Sequence, residues 1–199
     1  VGFDDSSWLS GASGIGYGVA GSDCEAQRGT TLTDMNGQYA SIYMRFPFYV
    51  AGPSAFASLQ LTMYFDDAFV AYLNGQEIVR SSVSGTPNIA GNPPLCTALA
   101  SVDHECDSAS PATYTVPASV LVAGLNVLAV QAHNYGAGMS SSDFIVAPQL
   151  LGTEAPPCTL DSECDDGLFC NGPENCNETT WTCEPGTPAL ALGLSLSAG

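Results

Sequence analysis

From residue 41 to residue 151, apolar and polar positions alternate in short runs separated by Gly, Pro, Asn and Asp. No stretch keeps the three-to-four spacing of an amphipathic helix. The runs predict strands over Ser41–Val50, Ala57–Phe65, Phe69–Leu73, Glu77–Ser81, Ala112–Val116, Asn126–Asn134 and Phe144–Leu151. All are rich in Val, Ile, Tyr, Phe and Thr, whose branched or flat side chains suit a pleated surface. Asn74-Gly75 lies between two of these runs, and both residues tolerate the positive φ of a two-residue hairpin turn. Many short strands with Gly and Pro between them predict an all-β chain, a sandwich or jelly roll.

The same alternation returns at the far end of the chain. Leu190, Leu192, Leu194 and Leu196 occupy every second position, with only Ala, Gly and Ser between them. This is the pattern of a strand with one buried face, yet no later strand follows to pair with it. An unpaired apolar strand is an aggregation hazard unless a sheet edge accepts it, in its own domain or in another copy. Three regions are therefore expected: a sandwich over 1–152, a disulfide-rich linker segment over 153–187, and a C-terminal strand over 188–199. Thr153-Glu-Ala-Pro-Pro157 reads as a semi-rigid connector.

Composition narrows the partners. The chain has 199 residues, three Arg, no Lys and 20 acidic residues, for a net charge of -17. With almost no cations it cannot replace the counterions of nucleic acid, so no nucleic-acid partner is expected. Attraction to an anionic membrane surface is excluded on the same ground, and no apolar run approaches the roughly 20 residues that span a bilayer. Such acidity suits solubility in an extracellular medium, and it also suits calcium.

Cysteine usage points to export. Eight Cys and a Gly/Ser/Thr/Ala-rich composition fit an oxidising, extracellular or cell-surface setting. The chain shows no leader and no initiating Met, as expected of a processed chain or a fragment. All of Cys24, Cys96, Cys106, Cys158, Cys164, Cys170, Cys176 and Cys183 are expected in disulfides. A Cys96–Cys106 bridge would staple the long Ser81–Ala112 insertion. Three Cys lie in the first region and five in the second, so full pairing requires a bridge between regions or between molecules, with Cys24 its candidate on the first side. Spacing leaves the connectivity open.

The first region resembles the galactose-binding-like jelly-roll domains of secreted bacterial proteins. The resemblance rests on Phe3-Asp-Asp-Ser-Ser-Trp8, Gly14-Ile-Gly-Tyr-Gly18, Tyr43-Met-Arg-Phe46, Phe65-Asp-Asp67 with Ala71-Tyr-Leu-Asn-Gly-Gln-Glu77, Gly124-Leu-Asn-Val-Leu-Ala-Val130 with His133-Asn134, and Ser141-Ser-Asp-Phe144. These cover about three quarters of the chain, in order. Asp66-Asp67-Ala68 departs from the more usual Asp-Asp-Gly. Residues 158–187 are similar to the Cys-Asp-Asp-Gly…Cys-Asn-Gly repeats of secreted proteins. In such jelly rolls a strand usually precedes the Phe-Asp-Asp-Ser-Ser-Trp stretch, whereas here the sequence starts two residues before Phe3. The resemblance thus implies a sandwich with an open edge, and the alternating tail is a strand able to fill it in a neighbouring copy. A head-to-tail contact that does not close on itself gives a filament.

Several residues are candidates for chemistry. Asp161, Glu163, Asp165 and Asp166 form part of a calcium-loop pattern, with oxygen ligands at alternate positions. The Gly comes one place late and position twelve is Gly172, so turn formation is the competing role. Asp4-Asp5 and Asp66-Asp67 are candidates for calcium or acid–base work, against pairing of Asp66 or Asp67 with Arg45 or Arg80. His104 and His133 accompany no nucleophile motif and are expected to be structural. Without Gly-x-Ser-x-Gly, His-Glu-x-x-His or a phosphate loop, no catalytic residue is assigned, no enzyme activity is expected and no cofactor is required beyond structural calcium. Trp8, Tyr17, Tyr39, Tyr43, Tyr72 and Tyr135 are weighed between stacking on sugar rings and core packing, with packing favoured. Asn177-Glu-Thr179 is a glycosylation sequon. The expected function is an extracellular structural protein that polymerises with copies of itself. The alternative is a carbohydrate-binding or adhesion module of a larger secreted protein.

Overall fold

A computed structural model describes residues 3–18, 21, 23–83, 93–136, 139, 141–155, 158–165, 167 and 172–187. The chain divides into two compact units, Val1–Thr153 and Glu154–Gly199. Leu190, Leu192, Leu194 and Leu196, together with Asp166 and Cys170, lie outside the described residues.

The first unit is all-β. Its strands are β1 (Ile15–Tyr17), β2 (Thr30–Thr31), β3 (Ser41–Val50), β4 (Phe56–Asp66), β5 (Ala68–Leu73), β6 (Gln76–Ser81), β7 (Ala112–Pro117), β8 (Gly124–His133) and β9 (Phe144–Glu154). They form a five-stranded sheet in the order β2-β1-β9-β4-β7 and a four-stranded sheet in the order β3-β8-β5-β6. β5 and β6 are joined by Asn74 and Gly75 at φ 54° and 84°, the left-handed turn that this dipeptide predicts.

Alternation along each strand builds one core between the sheets. Leu59, Leu61, Met63 and Phe65 of β4, with Phe144 and Val146 of β9, meet Met44 of β3, Phe69, Ala71 and Leu73 of β5, and Leu128, Val130 and Ala132 of β8. The intervening positions of β5 and β8 face the other way and are also covered. The segment after residue 93 folds back over this outer face, where Ala68 and Val70 pack with Val83 and Ala100. Pro94 accepts a bond from the Gln131 side chain, and Ala98 one from His133. That cover explains why Gln131 and His133 are buried although they point away from the main core.

The disulfides correct two expectations. Cys106 pairs with Cys24 across 82 residues, rather than with Cys96. Cys24 therefore closes a bridge inside the first unit and does not link the two regions. Cys96, expected in a disulfide, is exposed and unpaired among the described residues. The pairing follows from the tertiary path. The His104 amide donates to Asp67 and its ring stacks on Phe65 at 4.1 Å, which draws the 104–106 stretch to the end of β4. There Cys106 packs with buried Cys24 and Ile145.

In the second unit a small hairpin of β10 (Asn175–Asn177) and β11 (Thr182–Glu184) is held by Cys158–Cys176 and Cys164–Cys183. The buried sulfurs of Cys158, Cys164 and Cys176 make up its core, as expected where too few apolar side chains are available. The three bridges fit an oxidising, extracellular setting. No helix among the described residues is long and apolar enough to cross a membrane.

Candidate functional site

Strand lengths leave one sheet incomplete. β9 runs for 11 residues, but β1 pairs with only its first three, Phe144, Ile145 and Val146. On that side Ala147–Glu154 has no neighbouring strand among the described residues. Opposite, β3 is the edge of its own sheet and pairs only with β8. Ile42 and Met44 of its first half line a hollow of about 680 Å³ with Ile15 of β1 and Thr30 and Thr31 of β2. Farther along, Phe46 and Phe48 point into the core yet are only half-buried, as are Phe56 and Leu150, members of the same cluster. These aromatic and aliphatic side chains are left half-covered, and the far part of β9 is a sheet edge among the described residues.

A second feature lies on the outer face of the β3-β8-β5-β6 sheet. Phe3, Trp8, Tyr43 and Tyr72 line an almost wholly apolar hollow of about 430 Å³, with Arg45 and Gln131 among its other walls. The local sequence builds the near wall. Asp4 accepts the Ser6 amide at 3.0 Å, and the Trp8 amide donates to the Asp5 carbonyl at 2.9 Å. That turn sets the Phe3 and Trp8 rings edge to face, 5.5 Å apart. Arg45 reaches out from β3 to hold it, pairing with Asp5, donating to the Phe3 carbonyl and lying 5.3 Å from the Phe3 ring centre. Gln131 donates to the Tyr43 hydroxyl and the Pro94 carbonyl, both at 3.0 Å. The Tyr72 hydroxyl is buried with no hydrogen-bond partner among the described residues. Burial, then Glu77, raises the pKa of Tyr72.

Of the aromatics considered for sugar stacking, this hollow gathers Trp8, Tyr43 and Tyr72. Trp8 is 40% exposed and Tyr43 48%, so for these two the expectation of core packing is corrected. Tyr17 is buried against Phe144, and Tyr39 bonds Asp34 at 2.8 Å. Phe3 joins the site without any periodicity around it to mark it; the Asp-Asp-Ser-Ser turn brings it back onto Trp8.

The acidic pair is not matched to the expected arginines. Arg45 pairs with Asp5, and Arg80 makes a two-point pair with Glu77. Asp66 and Asp67 are both buried. Asp67 accepts the backbone amides of His104 at 3.2 Å and Tyr135 at 2.7 Å. Burial raises both carboxyls; for Asp66 the charges of Asp67, Asp143 and Glu105 add to the rise, and for Asp67 the two amide bonds oppose it.

The remaining candidates are placed as follows. Glu163 accepts the amides of Thr159 and Leu160, Asp161 that of Cys176, and Asp165 that of Gly167. Asn177 accepts the amides of Thr179 and Thr180 and donates to Glu184 at 2.6 Å. His133 is buried, and its Nδ1–H donates to the Ala98 carbonyl at 2.8 Å. No family model, no curated protein and no solved structure matches this chain.

Proposed function

We propose that this chain is an extracellular structural protein that assembles head to tail into filaments. Each copy donates its 188–199 segment as a strand to the sandwich of the next. The observation that carries the proposal is that Ala147–Glu154 of β9 has no neighbour on that side among the described residues, while Phe46, Phe48 and Leu150 of the same core are only half-buried. Eight residues of open edge suit a seven-residue run from Leu190 to Leu196. Both rows of side chains repeat every second residue, so four leucines would enter at the spacing the core already uses. Burying them contributes about 6–12 kcal/mol before ordering costs. Main-chain bonds would supply the rest, as in strand addition generally.

The sandwich itself we take to be a galactose-binding-like jelly roll. With the two-residue β2 set aside, the sheets read β1-β9-β4-β7 and β3-β8-β5-β6, eight strands whose connections cross between the layers except at the β5–β6 hairpin, the order of two Greek keys. On this view the gap lies along the far end of β9, where β1 stops short.

Negative-stain electron microscopy of the native, non-reduced protein tests the proposal. Filaments are expected from the intact chain, and dispersed subunits from the double variant Leu192→Asp/Leu194→Asp. Dispersed particles of 20.5 kDa from the intact chain would sink it.

The hollow lined by Phe3, Trp8, Tyr43 and Tyr72 favours a second function, carbohydrate binding. Flat rings stack on the C–H faces of sugars, and the rings of Trp8 and Tyr43 stand exposed at this hollow. A glycan array probed with the intact chain and with Trp8→Ala tests it; equal retention of both would discard the hollow as a sugar site.

A further inference from the structure

We propose that Asp66, Glu105 and Asp143 form a calcium site that locks one end of the sandwich. The three residues each place a carboxylate oxygen within 4.8 Å of the other two. They come from separate elements: Asp66 ends β4, Asp143 immediately precedes β9, and Glu105 lies in the segment stapled by Cys24–Cys106.

The burial of Asp66 separates this group from an ordinary cluster of surface acids. Its residue exposure is 3%, and its Oδ1 is buried without a hydrogen-bond partner among the described residues. A buried carboxylate oxygen left without a donor costs free energy, and native proteins rarely carry one that nothing satisfies. Nor is a side-chain cation assigned to it. The chain has three in all, and Arg28, Arg45 and Arg80 pair with Glu25, Asp5 and Glu77 respectively. A divalent cation would satisfy the orphan oxygen and offset the mutual repulsion of three converging carboxylates.

The chemistry of the site selects calcium. All the ligands are hard oxygens, with no imidazole or thiolate, which disfavours zinc and copper. Calcium–oxygen bonds of 2.3–2.6 Å allow ligands on opposite sides of the ion to stand about 5 Å apart. Oxygens that all lie within 4.8 Å of one another fall inside that reach, whereas magnesium demands near-ideal octahedral geometry and dehydrates reluctantly. Three carboxylates leave several positions to water and main-chain oxygens, as is usual for a flexible coordination sphere.

Each ligand is anchored through its neighbours. Glu105 is pinned through its neighbours, since the His104 amide bonds Asp67 and the His104 ring stacks on Phe65, while Cys106 is bridged to Cys24. Asp143 is followed by Phe144, which pairs with Tyr17. β4 and β9 are adjacent strands, so an ion here would tie their ends together and fasten the stapled segment to both.

Isothermal titration of the EDTA-stripped intact chain with calcium chloride tests the site, alongside thermal unfolding with and without the ion. One calcium should bind with a Kd at or below about 10⁻⁴ M, within reach of extracellular calcium levels, and raise the Tm by about 5 °C at a 100-fold excess over Kd. Glu105→Gln, at an exposed side chain, should not lower the ion-free Tm, since it relieves repulsion among the carboxylates, and should weaken binding at least about tenfold. Asp143→Asn should do the same, and Asp66→Asn should remove binding. Two outcomes would overturn the proposal. One is the absence of both heat and Tm shift at millimolar calcium. The other is binding that survives Glu105→Gln and Asp143→Asn but disappears in Asp161→Asn, which would move the site to the second unit.

Discussion

Asn74 and Asn126 bond side chain to side chain, Nδ2 to Oδ1 at 2.8 Å, and so tie the β5–β6 hairpin turn to the start of β8. Each does more. Asn74 also donates to the Val120 carbonyl and accepts the Val127 amide. Asn126, fully buried, accepts the Val122 amide and donates to the carbonyls of Val122 and Gly124. Replacing Asn126 by Ala leaves several part-buried main-chain groups and the Asn74 amide without their partner at once, so a loss of about 2–4 kcal/mol is expected in urea unfolding. Asn74→Gly keeps the φ of 54° accessible but forfeits the bonds, and should cost less than Asn74→Ala, which pays both penalties.

This pair marks how far the sequence could be read. Asn74-Gly75 announced a turn from local chemistry alone, and β3 was bounded at both ends by its alternation. Strands with a strict period of two were legible because one face of each is buried. β1 and β2, three and two residues long, were not, since neither is long enough to show a period. The tertiary role of Asn74 was equally hidden, because its partners lie about 50 residues downstream. The hollow and the carboxylate cluster share that limit. Trp8 and Tyr43, or Asp66, Glu105 and Asp143, are each ordinary in sequence and become a site only where separate strands end together.

The Cys24–Cys106 bridge makes the sharpest covalent prediction. It closes an 82-residue separation, for which chain-entropy reasoning gives about 4 kcal/mol. The double variant Cys24→Ser/Cys106→Ser should therefore unfold at markedly lower denaturant. Cys96→Ser should leave the midpoint unchanged, because that thiol is exposed and unpaired among the described residues. Peptide mapping without reduction should recover Cys24 linked to Cys106, and native alkylation should label Cys96. A Cys96–Cys106 peptide would refute this pairing.

Buried His133 predicts a dependence on mild acid. Burial lowers its pKa, and its Nε2 faces no partner among the described residues. The folded state therefore binds the proton less readily than the unfolded chain, whose imidazole titrates near 6.5. The stability it contributes is complete above that value and is lost as the pH falls below it towards the folded pKa. Asp66 and Asp67, whose carboxyls burial raises, change stability in the opposite sense over this range, so the His133 contribution is read by difference: between pH 7.5 and pH 5.5 the intact chain should lose more stability, or gain less, than His133→Gln. An unchanged slope in the variant would assign the acid sensitivity to other groups.

Arg45 offers a way to separate the two proposed functions. Its pair with Asp5 is partly exposed, with side-chain accessibilities of 16% and 44%, so Arg45→Ala should cost only about 1 kcal/mol or less. The local consequence is larger, because Arg45 alone joins Asp5, the Phe3 carbonyl and the Phe3 ring to the face of β3. Without it the wall formed by Phe3 and Trp8 loosens. In a Trp181→Phe background, where Trp8 is the sole tryptophan, fluorescence should shift to the red on adding Arg45→Ala. Arg45→Lys should shift it partway, since an ammonium restores charge without the planar contacts. Sugar retention, where the hollow provides it, should fall with this shift. In the proposed assembly, filament formation depends instead on the β9 edge and the inward row of Phe46, Phe48 and Leu150, whereas the Arg45 side chain turns outward to Phe3 and Asp5. Filaments of unchanged length in Arg45→Ala, together with lost glycan binding, would place the two functions on opposite faces of the same sheet pair. Loss of filaments in Arg45→Ala would instead show that the N-terminal turn takes part in receiving the strand.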